Sequence, residues 1–272
     1  MQRSAFFVSD GTGITAETLG HSMLAQFAGV DWQQHTLPYV QTPDNARAAV
    51  AKINEQCRQD GVKPVVFSTL VGDELRAIIA TCDALVMDLF SVFLGPMEQE
   101  LGMRSTHKVG QTHAIRDQKA YHVRIDAVHF ALDNDDGAVT RHYDKADIIL
   151  VGLSRSGKTP TSLYLALQFG LRTANYPFTE DDFDDLVLPK CLVEHKDKIF
   201  GLTLNAERLH AIRTERKANS RYASMRQVEE ELRGMEAIFS RYNIPHLDAT
   251  DLSIEEISTR ILTMTGLKRR LQ

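Results

Sequence analysis

The stretch Ile148-Ile149-Leu150-Val151-Gly152-Leu153-Ser154-Arg155-Ser156-Gly157-Lys158-Thr159 decides the fold. Its four leading aliphatic residues predict a buried strand, and the Walker A spacing Gly-x-x-x-x-Gly-Lys-Thr follows directly. A helical pattern then runs over residues 160–169 and is closed by Gly170. Strand, glycine-rich turn and helix in this order predict a loop that binds phosphate.

Each part of this loop has a physical role in binding an anion. The backbone N–H groups turn inward, and the new helix adds its unpaired N–H groups and the positive end of its dipole. Lys158, which we expect to face solvent in the empty loop, neutralises phosphate oxygens, and the Thr159 hydroxyl is placed to ligate magnesium. The predicted nucleotide contacts are Gly152, Leu153, Ser154, Arg155, Ser156, Gly157, Lys158 and Thr159. The plainer alternative is an ordinary Gly/Ser turn with a solvated lysine.

Composition narrows the class of protein. The chain has 272 residues, 43% hydrophobic and 25% charged, which is typical of a globular protein with one or two domains. A net charge of −5 gives no general reason to expect nucleic acid. No apolar run reaches membrane-spanning length, and the first residues do not resemble a signal peptide. Three widely spaced cysteines, with neither a CxxC pair nor a disulfide pattern, favour the reducing cytoplasm.

The first hundred residues alternate between strand and helix patterns. The apolar strands lack period-two alternation, which indicates a sheet covered on both faces. We therefore predict a small doubly wound α/β domain over residues 1–104. Its predicted strands are 5–8, 35–40, 64–71 and 84–89, and its predicted helices are 15–24, 43–58 and 73–81.

Residues 105–272 are predicted to form a P-loop kinase-like α/β domain with a helical C-terminal part. Residues 105–146 are its connecting segment, with a helix over 121–132 whose apolar stripe is Val123, Val128 and Leu132. Further strands are predicted at 173–178, 199–204 and 245–248, and helices begin near 205, 225 and 253. No hydrophobic run ends in an aspartate that would be an obvious Walker B strand.

Three polar segments outside the loop have two interpretations each. The loop 9–13 offers Asp10 and backbone amides to a phosphate or partner; alternatively it is a tight turn in which Thr12 or Thr15 caps the helix. The acidic turn 133–137 could bind magnesium or supply a base. The arginines and lysine of residues 208–221 form a solvated basic face, or one of them reaches the nucleotide phosphates or an acidic partner.

Three strings resemble the phosphoenolpyruvate synthetase regulatory proteins, relatives of the pyruvate, phosphate dikinase regulatory proteins. They are VSDGTGITAETLG at 8–20, the Asp-Asp-Gly of FALDNDDG, and VGLSRSGKTPTSLYLALQFG with the following ANYPF. The resemblance runs from Phe7 to the C-terminal helix. The intact Gly157-Lys158-Thr159 and its continuation favour the synthetase branch over the dikinase branch.

The resemblance implies a bifunctional enzyme that acts on phosphoenolpyruvate synthase. Family members transfer the β-phosphoryl group of ADP to a target threonine, which inactivates the target and leaves AMP. They remove it by phosphorolysis, in which inorganic phosphate is the co-substrate and pyrophosphate the product. Mg²⁺ is the expected metal. The sequence leaves the oligomeric state open, with a homodimer among the options.

The resemblance also suggests site residues. Arg155 is a candidate contact to the donor or the incoming phosphate, and Asp10, Asp135 and Asp136 are candidates for the general base. Asn134 stands where many members are expected to have histidine. The loop 9–13 is a candidate second anion site. Two other functions compete: a nucleotide-sensing P-loop binding protein without chemistry, and an ATP-dependent small-molecule P-loop kinase.

Overall fold

The computed structural model describes residues 2–106 and 118–271. The chain divides into two compact units, Met1–Ala114 and Ile115–Gln272. Each unit contains a four-stranded parallel sheet with helices packed against it, so the predicted α/β fold class is confirmed. The domain boundary at 104/105 stays a prediction, because residues 107–117 of the predicted connecting segment lie outside the described part of the chain.

The first unit is doubly wound around the strand order β2-β1-β3-β4. Alternate residues of β1 point to opposite faces: Phe6 and Val8 pack in one core, while Ala5 and Phe7 pack in the other. The elements are β1 Gln2–Val8, α1 Ile14–Leu24, β2 Asp31–Leu37, α2 Pro43–Asp60, β3 Val65–Ser68, α3 Asp73–Ile79, β4 Leu85–Asp88 and α4 Leu89–Leu101.

Two elements of this unit differ most from the prediction, while β1 begins three residues earlier and β3 ends three residues earlier than predicted. The second strand begins at Asp31 instead of residue 35 and ends before Pro38, because an edge strand tolerates the polar residues at its start. Helix α4 was not predicted, since Pro96 inside it argues against a continuous helix. Its N-cap is Asp88, whose side chain accepts a hydrogen bond from the Ser91 N–H.

The second unit repeats the same sheet order as β6-β5-β7-β8, again with all neighbours parallel. Its elements are α5 Gln118–Asp133, β5 Ile148–Leu153, α6 Lys158–Phe169, β6 Thr173–Phe178, α7 Lys190–Val193, β7 Ile199–Thr203, α8 Ala206–Arg216, α9 Met225–Tyr242, β8 His246–Asp248 and α10 Ile254–Thr265. All six residues of β5 are buried, as its aliphatic sequence predicts. No helix in the described part of the chain is long and apolar enough to cross a membrane.

The sheet order places the predicted loop at a favourable point. Strand β5 lies between β6 and β7. The chain therefore leaves β5 to form β6 on one side of it, and then crosses over to form β7 on the other side. Ligands of open α/β sheets bind at the carboxyl ends of strands at such a switch point. The segment that follows β5 is therefore where this topology opens a crevice.

Helix α5 confirms the predicted helix and part of its predicted apolar stripe. Ala127 and Ala131 are buried against Ala166 of α6, and the partly buried Val128 packs against the same cluster, whereas Leu132 of the predicted stripe is exposed. The small alanine side chains let the two helices approach closely. The N-caps of the C-terminal helices agree with their sequences: Asn205 caps α8, and Ser253 forms a capping box with Glu256 at α10.

Candidate functional site

The glycine loop (residues 152–159) connects β5 to α6 through a backbone that only certain residues permit. A β-carbon at Gly152 would overlap the Leu202 carbonyl oxygen of the neighbouring strand. Gly157 is the N-cap of α6 and has φ +89°, a left-handed conformation that glycine adopts without strain. Arg155 also has a positive φ, 78°, at the exposed turn of the loop. The first turn of α6 thus begins directly at the loop, with its N–H groups unpaired by the helix.

Lys158 is buried, contrary to the expectation that it faces solvent. Its side chain folds back along the loop, and Nζ donates a hydrogen bond to the Leu153 carbonyl oxygen at 2.8 Å. The residue is 4% exposed. Burial lowers the pKa of Lys158 to about 8, and the nearby carboxylates of Asp136 and Asp135 partly oppose this shift. The loop therefore holds its lysine inside the site before any anion arrives.

The acidic segment after α5 contacts the start of α6. Thr159 Oγ1 donates a hydrogen bond to Asp135 Oδ1 at 2.8 Å. Asn175, fully buried on β6, donates from Nδ2 to the same oxygen at 2.5 Å and accepts from the Asp136 N–H at 2.9 Å. Asp136 has φ 48°, a conformation that aspartate adopts more readily than most residues. Asn175 therefore fixes both aspartates relative to the loop.

Asp135 occupies the place that a Walker B aspartate takes in many phosphate-loop proteins, beside the loop threonine. No strand ends in this aspartate; it comes from a short 3₁₀ turn, Asp135–Gly137, that precedes β5 and lies in the predicted acidic turn 133–137. Asn175, in contrast, was missed as a site residue. The signal for Asn175 was a polar residue in the middle of an apolar strand, which needs a buried hydrogen-bonding partner.

A buried arginine supports the loop from α8. Arg213 is 1% exposed; its guanidinium pairs with Glu231 at 2.8 Å and lies 4.3 Å from the Tyr222 ring centre. It also donates to the carbonyl oxygens of Tyr222 at 3.1 Å and Ser154 at 3.4 Å. The Tyr222 and Ser154 hydroxyls are hydrogen-bonded at 3.0 Å. The prediction that the basic residues of this helix are solvated is therefore wrong for Arg213, which is buried and anchors the glycine loop.

A cavity of about 270 Å³ opens at the loop. The loop side chains Arg155, Lys158 and Thr159 line one side, and Ile212 and Arg216 of α8 contribute to its wall. The remaining lining residues are Asp136, Ser154, Gly157 and Pro160. Three basic groups against one carboxylate make the cavity suited to anions.

Asp10 belongs to the first unit and has structural partners there. Its Oδ2 accepts a hydrogen bond from the Val71 N–H at 2.9 Å, and its carbonyl oxygen accepts one from the Gln41 side chain at 2.8 Å. Gly13, with φ 88°, is the N-cap of α1, and no side chain caps this helix. The alternative in which Thr12 or Thr15 caps α1 is therefore wrong. Asp10 links the loops that follow β1 and β3.

The oxygen atoms beside α6 suit a small hard cation. Mg²⁺ keeps several waters and needs one or two protein oxygens in addition to substrate phosphates. The Thr159 hydroxyl and the Asp135 carboxylate are adjacent, and Asp136 follows on the same turn. Within residues 2–106 and 118–271, no group of three or more His, Cys, Asp or Glu side chains could hold a metal by itself. The residues present fit a metal that arrives with a phosphate ligand.

The fold and the loop define an α/β protein of the P-loop kinase-like class. The chain belongs to the kinase/pyrophosphorylase family, whose family model matches residues 5–262. The family description names phosphoryl-transfer enzymes.

Several curated relatives match along the whole chain, and the following three carry the provisional name of phosphoenolpyruvate synthase regulatory protein. The relative from Alcanivorax borkumensis is 68% identical over 272 residues and all of both chains. That from Acinetobacter baylyi is 62% identical over 271 residues, covering 100% of this chain and 98% of its own. That from Pseudomonas putida is 54% identical over 272 residues and all of both chains. The predicted family is therefore confirmed.

Proposed function

We propose that this protein phosphorylates a threonine of phosphoenolpyruvate synthase with ADP as donor, and removes that phosphate by phosphorolysis. The observation that carries the proposal is the glycine loop with its buried Lys158 and its Thr159–Asp135 contact, in a member of the kinase/pyrophosphorylase family. The names of the relatives support the choice of protein substrate.

In this proposal the loop holds the two phosphates of ADP. The N–H groups at the start of α6 and the Lys158 ammonium point toward the β-phosphate, and Arg155 stands at the open side of the cavity. Lys158 exchanges its hydrogen bond to the Leu153 carbonyl for a phosphate oxygen. Because the lysine is already inside the loop, little side-chain freedom is lost on binding.

Thr159 and Asp135 are the residues that would hold Mg²⁺, with Asp136 next to them. When bound there, the metal neutralises charge on the transferring phosphoryl group. The protein's part is to keep Thr159 and Asp135 within 2.8 Å of each other and to orient the Asp135 carboxylate through Asn175.

The transfer needs a base for the threonine hydroxyl of the target. The hydroxyl oxygen attacks the β-phosphorus, the bond from that phosphorus to the bridging oxygen breaks, and AMP leaves with the electron pair. Asp136 is the preferred base, because it is exposed and lines the cavity. Asp135 Oδ1 already accepts two hydrogen bonds, and Asp10 Oδ2 accepts one from the Val71 N–H.

Three isosteric variants separate these candidates. Asp136→Asn is expected to lower the transfer rate by roughly 100-fold or more with ADP affinity nearly unchanged, the effect of losing a general base. Asp135→Asn should instead change the Mg²⁺ concentration that the transfer requires. Asp10→Asn keeps an oxygen for the Val71 N–H, so it should change neither the transfer rate nor the Mg²⁺ requirement. An Asp136→Asn protein with the parental rate would remove Asp136 from this role.

The metal assignment has its own test. Thr159→Ala should raise the Mg²⁺ concentration that gives half-maximal transfer, whereas Ser154→Ala removes a loop hydroxyl that contacts Tyr222 instead. Identical Mg²⁺ titrations for Thr159→Ala and Ser154→Ala would contradict the assignment.

The proposed reaction is tested by mixing the protein with phosphoenolpyruvate synthase and either β-labelled ADP or γ-labelled ATP, then mapping the acceptor. Label on a synthase threonine from ADP, with AMP as product, supports the proposal. Label from ATP on a small molecule would favour the small-molecule kinase. ADP binding with no label on any acceptor would favour a nucleotide-sensing protein.

A further inference from the structure

Helix α8 contributes one charged residue to the wall of the cavity, Arg216, and carries the buried Arg213, which contacts the glycine loop. Arg216 is exposed and lines the cavity together with Ile212. Both residues belong to α8, whereas the cavity residues Arg155 and Lys158 belong to the glycine loop. Throughout residues 2–106 and 118–271, no carboxylate forms an ion pair with Arg216 or Arg155. Both guanidinium groups are therefore available to an anion.

The position of Arg216 is fixed relative to the glycine loop. Arg213 lies three residues earlier, on the neighbouring part of the same helix surface. It ties α8 to the Ser154 carbonyl oxygen of the loop and to Glu231 of α9. A helix anchored in this way keeps the Arg216 backbone beside the cavity, so its side chain needs only a rotamer choice to reach a ligand there.

The two proposed reactions differ in the charge that they bring together. Threonine phosphorylation joins an ADP anion to a neutral hydroxyl. Phosphorolysis instead joins two dianions, phosphothreonine and hydrogen phosphate. A second cationic group outside the nucleotide loop is therefore needed mainly for phosphorolysis. The loop 9–13 is less suited to that second anion, because the Asp10 carboxylate lies buried in it and the Gly11 N–H already donates to Ser9 Oγ at 3.1 Å.

We propose that Arg216 binds the inorganic phosphate that attacks phosphothreonine, an inference that rests on the proposed function. An oxygen of hydrogen phosphate attacks the phosphothreonine phosphorus, and the bond from phosphorus to the threonine oxygen breaks. The electron pair leaves with the threonine oxygen, which takes the proton of hydrogen phosphate. Threonine and pyrophosphate are the products, so atoms and charge balance. Arg216 lowers the repulsion between the two dianions.

The test compares Arg216→Gln with Arg208→Gln. Arg208 is an exposed arginine on the same helix that does not line the cavity, so both variants remove one charge from α8. Phosphothreonyl synthase is the substrate, and pyrophosphate release is measured against inorganic phosphate concentration. For Arg216→Gln the KM for phosphate should rise roughly 10- to 100-fold, the range of one charge-assisted hydrogen bond. The kcat/KM for ADP in the forward reaction should fall by a clearly smaller factor than the KM for phosphate rises, and Arg216→Lys should be intermediate.

The outcomes separate this inference from the proposed function. An unchanged KM for phosphate in Arg216→Gln, or equal losses in both directions, would overturn the role of Arg216 while phosphorolysis by the parental protein still stands. An equal rise of the KM for phosphate in Arg208→Gln would show that the net charge of α8 causes the effect, and it would also overturn the role of Arg216. If the parental protein releases no pyrophosphate, the proposed function fails, and the role of Arg216 fails with it.

Discussion

The buried pair Arg213–Glu231 gives a prediction that can be worked from the structure. The side chains are 1% and 8% exposed, and the 2.8 Å contact joins α8 to α9 behind the glycine loop. Glu231→Leu removes the carboxylate but leaves the guanidinium buried, with only the Tyr222 ring and two carbonyl oxygens around it. Breaking one side of a buried ion pair typically costs about 3–5 kcal/mol. We expect a loss of that size in the free energy of unfolding.

The double variant Arg213→Met/Glu231→Leu provides the control. It removes both charges, so no ion is left unpaired in the interior. Its remaining losses are the guanidinium contact with the Tyr222 ring and three hydrogen bonds, at about 1 kcal/mol each: those from Arg213 to the Ser154 and Tyr222 carbonyl oxygens and that from Gln227 to Glu231. The double variant should therefore be more stable than Glu231→Leu alone, a non-additive result that a simple loss of packing would not give.

Urea denaturation followed by circular dichroism measures these differences, with amide exchange of α8 and α9 as the local probe. The single tryptophan, Trp32, lies on β2 of the first unit, so its fluorescence does not report on this pair. A loss of less than about 1 kcal/mol in Glu231→Leu, or a double variant less stable than Glu231→Leu, would contradict this prediction.

Three further predictions concern the loop and its acidic partners. Gly152→Ala should destabilise the protein by about 1–3 kcal/mol and weaken ADP binding, because its β-carbon meets the Leu202 carbonyl. Gly95→Ala, with open space around the new β-carbon, is the control. Equal denaturation midpoints for the two variants would contradict the prediction. Asn175→Ala should cost about 1–3 kcal/mol and slow phosphoryl transfer, since the Asp136 N–H and the Asp135 carboxylate lose their partner; parental stability and rate would disprove it. The Lys158 pKa of about 8 lies below its ordinary value, so the unfolded chain binds that proton more tightly. Unfolding free energy of the ligand-free protein should therefore rise between about pH 8 and 10.5 relative to Lys158→Met, and parallel pH profiles would argue against the buried ammonium.

The sequence predicted the parts of the site that lie close together along the chain. The aliphatic run, the glycine spacing and the following helix specify β5, the glycine loop and α6, because each is a local pattern with one conformation that satisfies it. The same holds for the caps of α8 and α10, where the capping residue and its partner are three positions apart.

The parts that were missed depend on contacts between distant segments. Asp135 meets Thr159 across 24 positions, and Asn175 meets Asp135 across 40. Neither contact leaves a periodic signal. The burial of Lys158 and Arg213 could not be predicted for a related reason. A charged residue in a helix or a loop is normally solvated, and its burial depends on partners that lie far away in the sequence.

The most direct test of the central claim is a calorimetric titration of ADP, with Mg²⁺ present, into the parental protein and into Lys158→Met. Methionine fills much of the space of the buried lysine without its charge, so the comparison isolates the ammonium group. We expect one ADP per chain for the parental protein and an affinity lower by roughly 10- to 100-fold in the variant. Equal affinities for the two proteins, or no ADP binding by the parental protein, would contradict the assignment of the glycine loop as the nucleotide site.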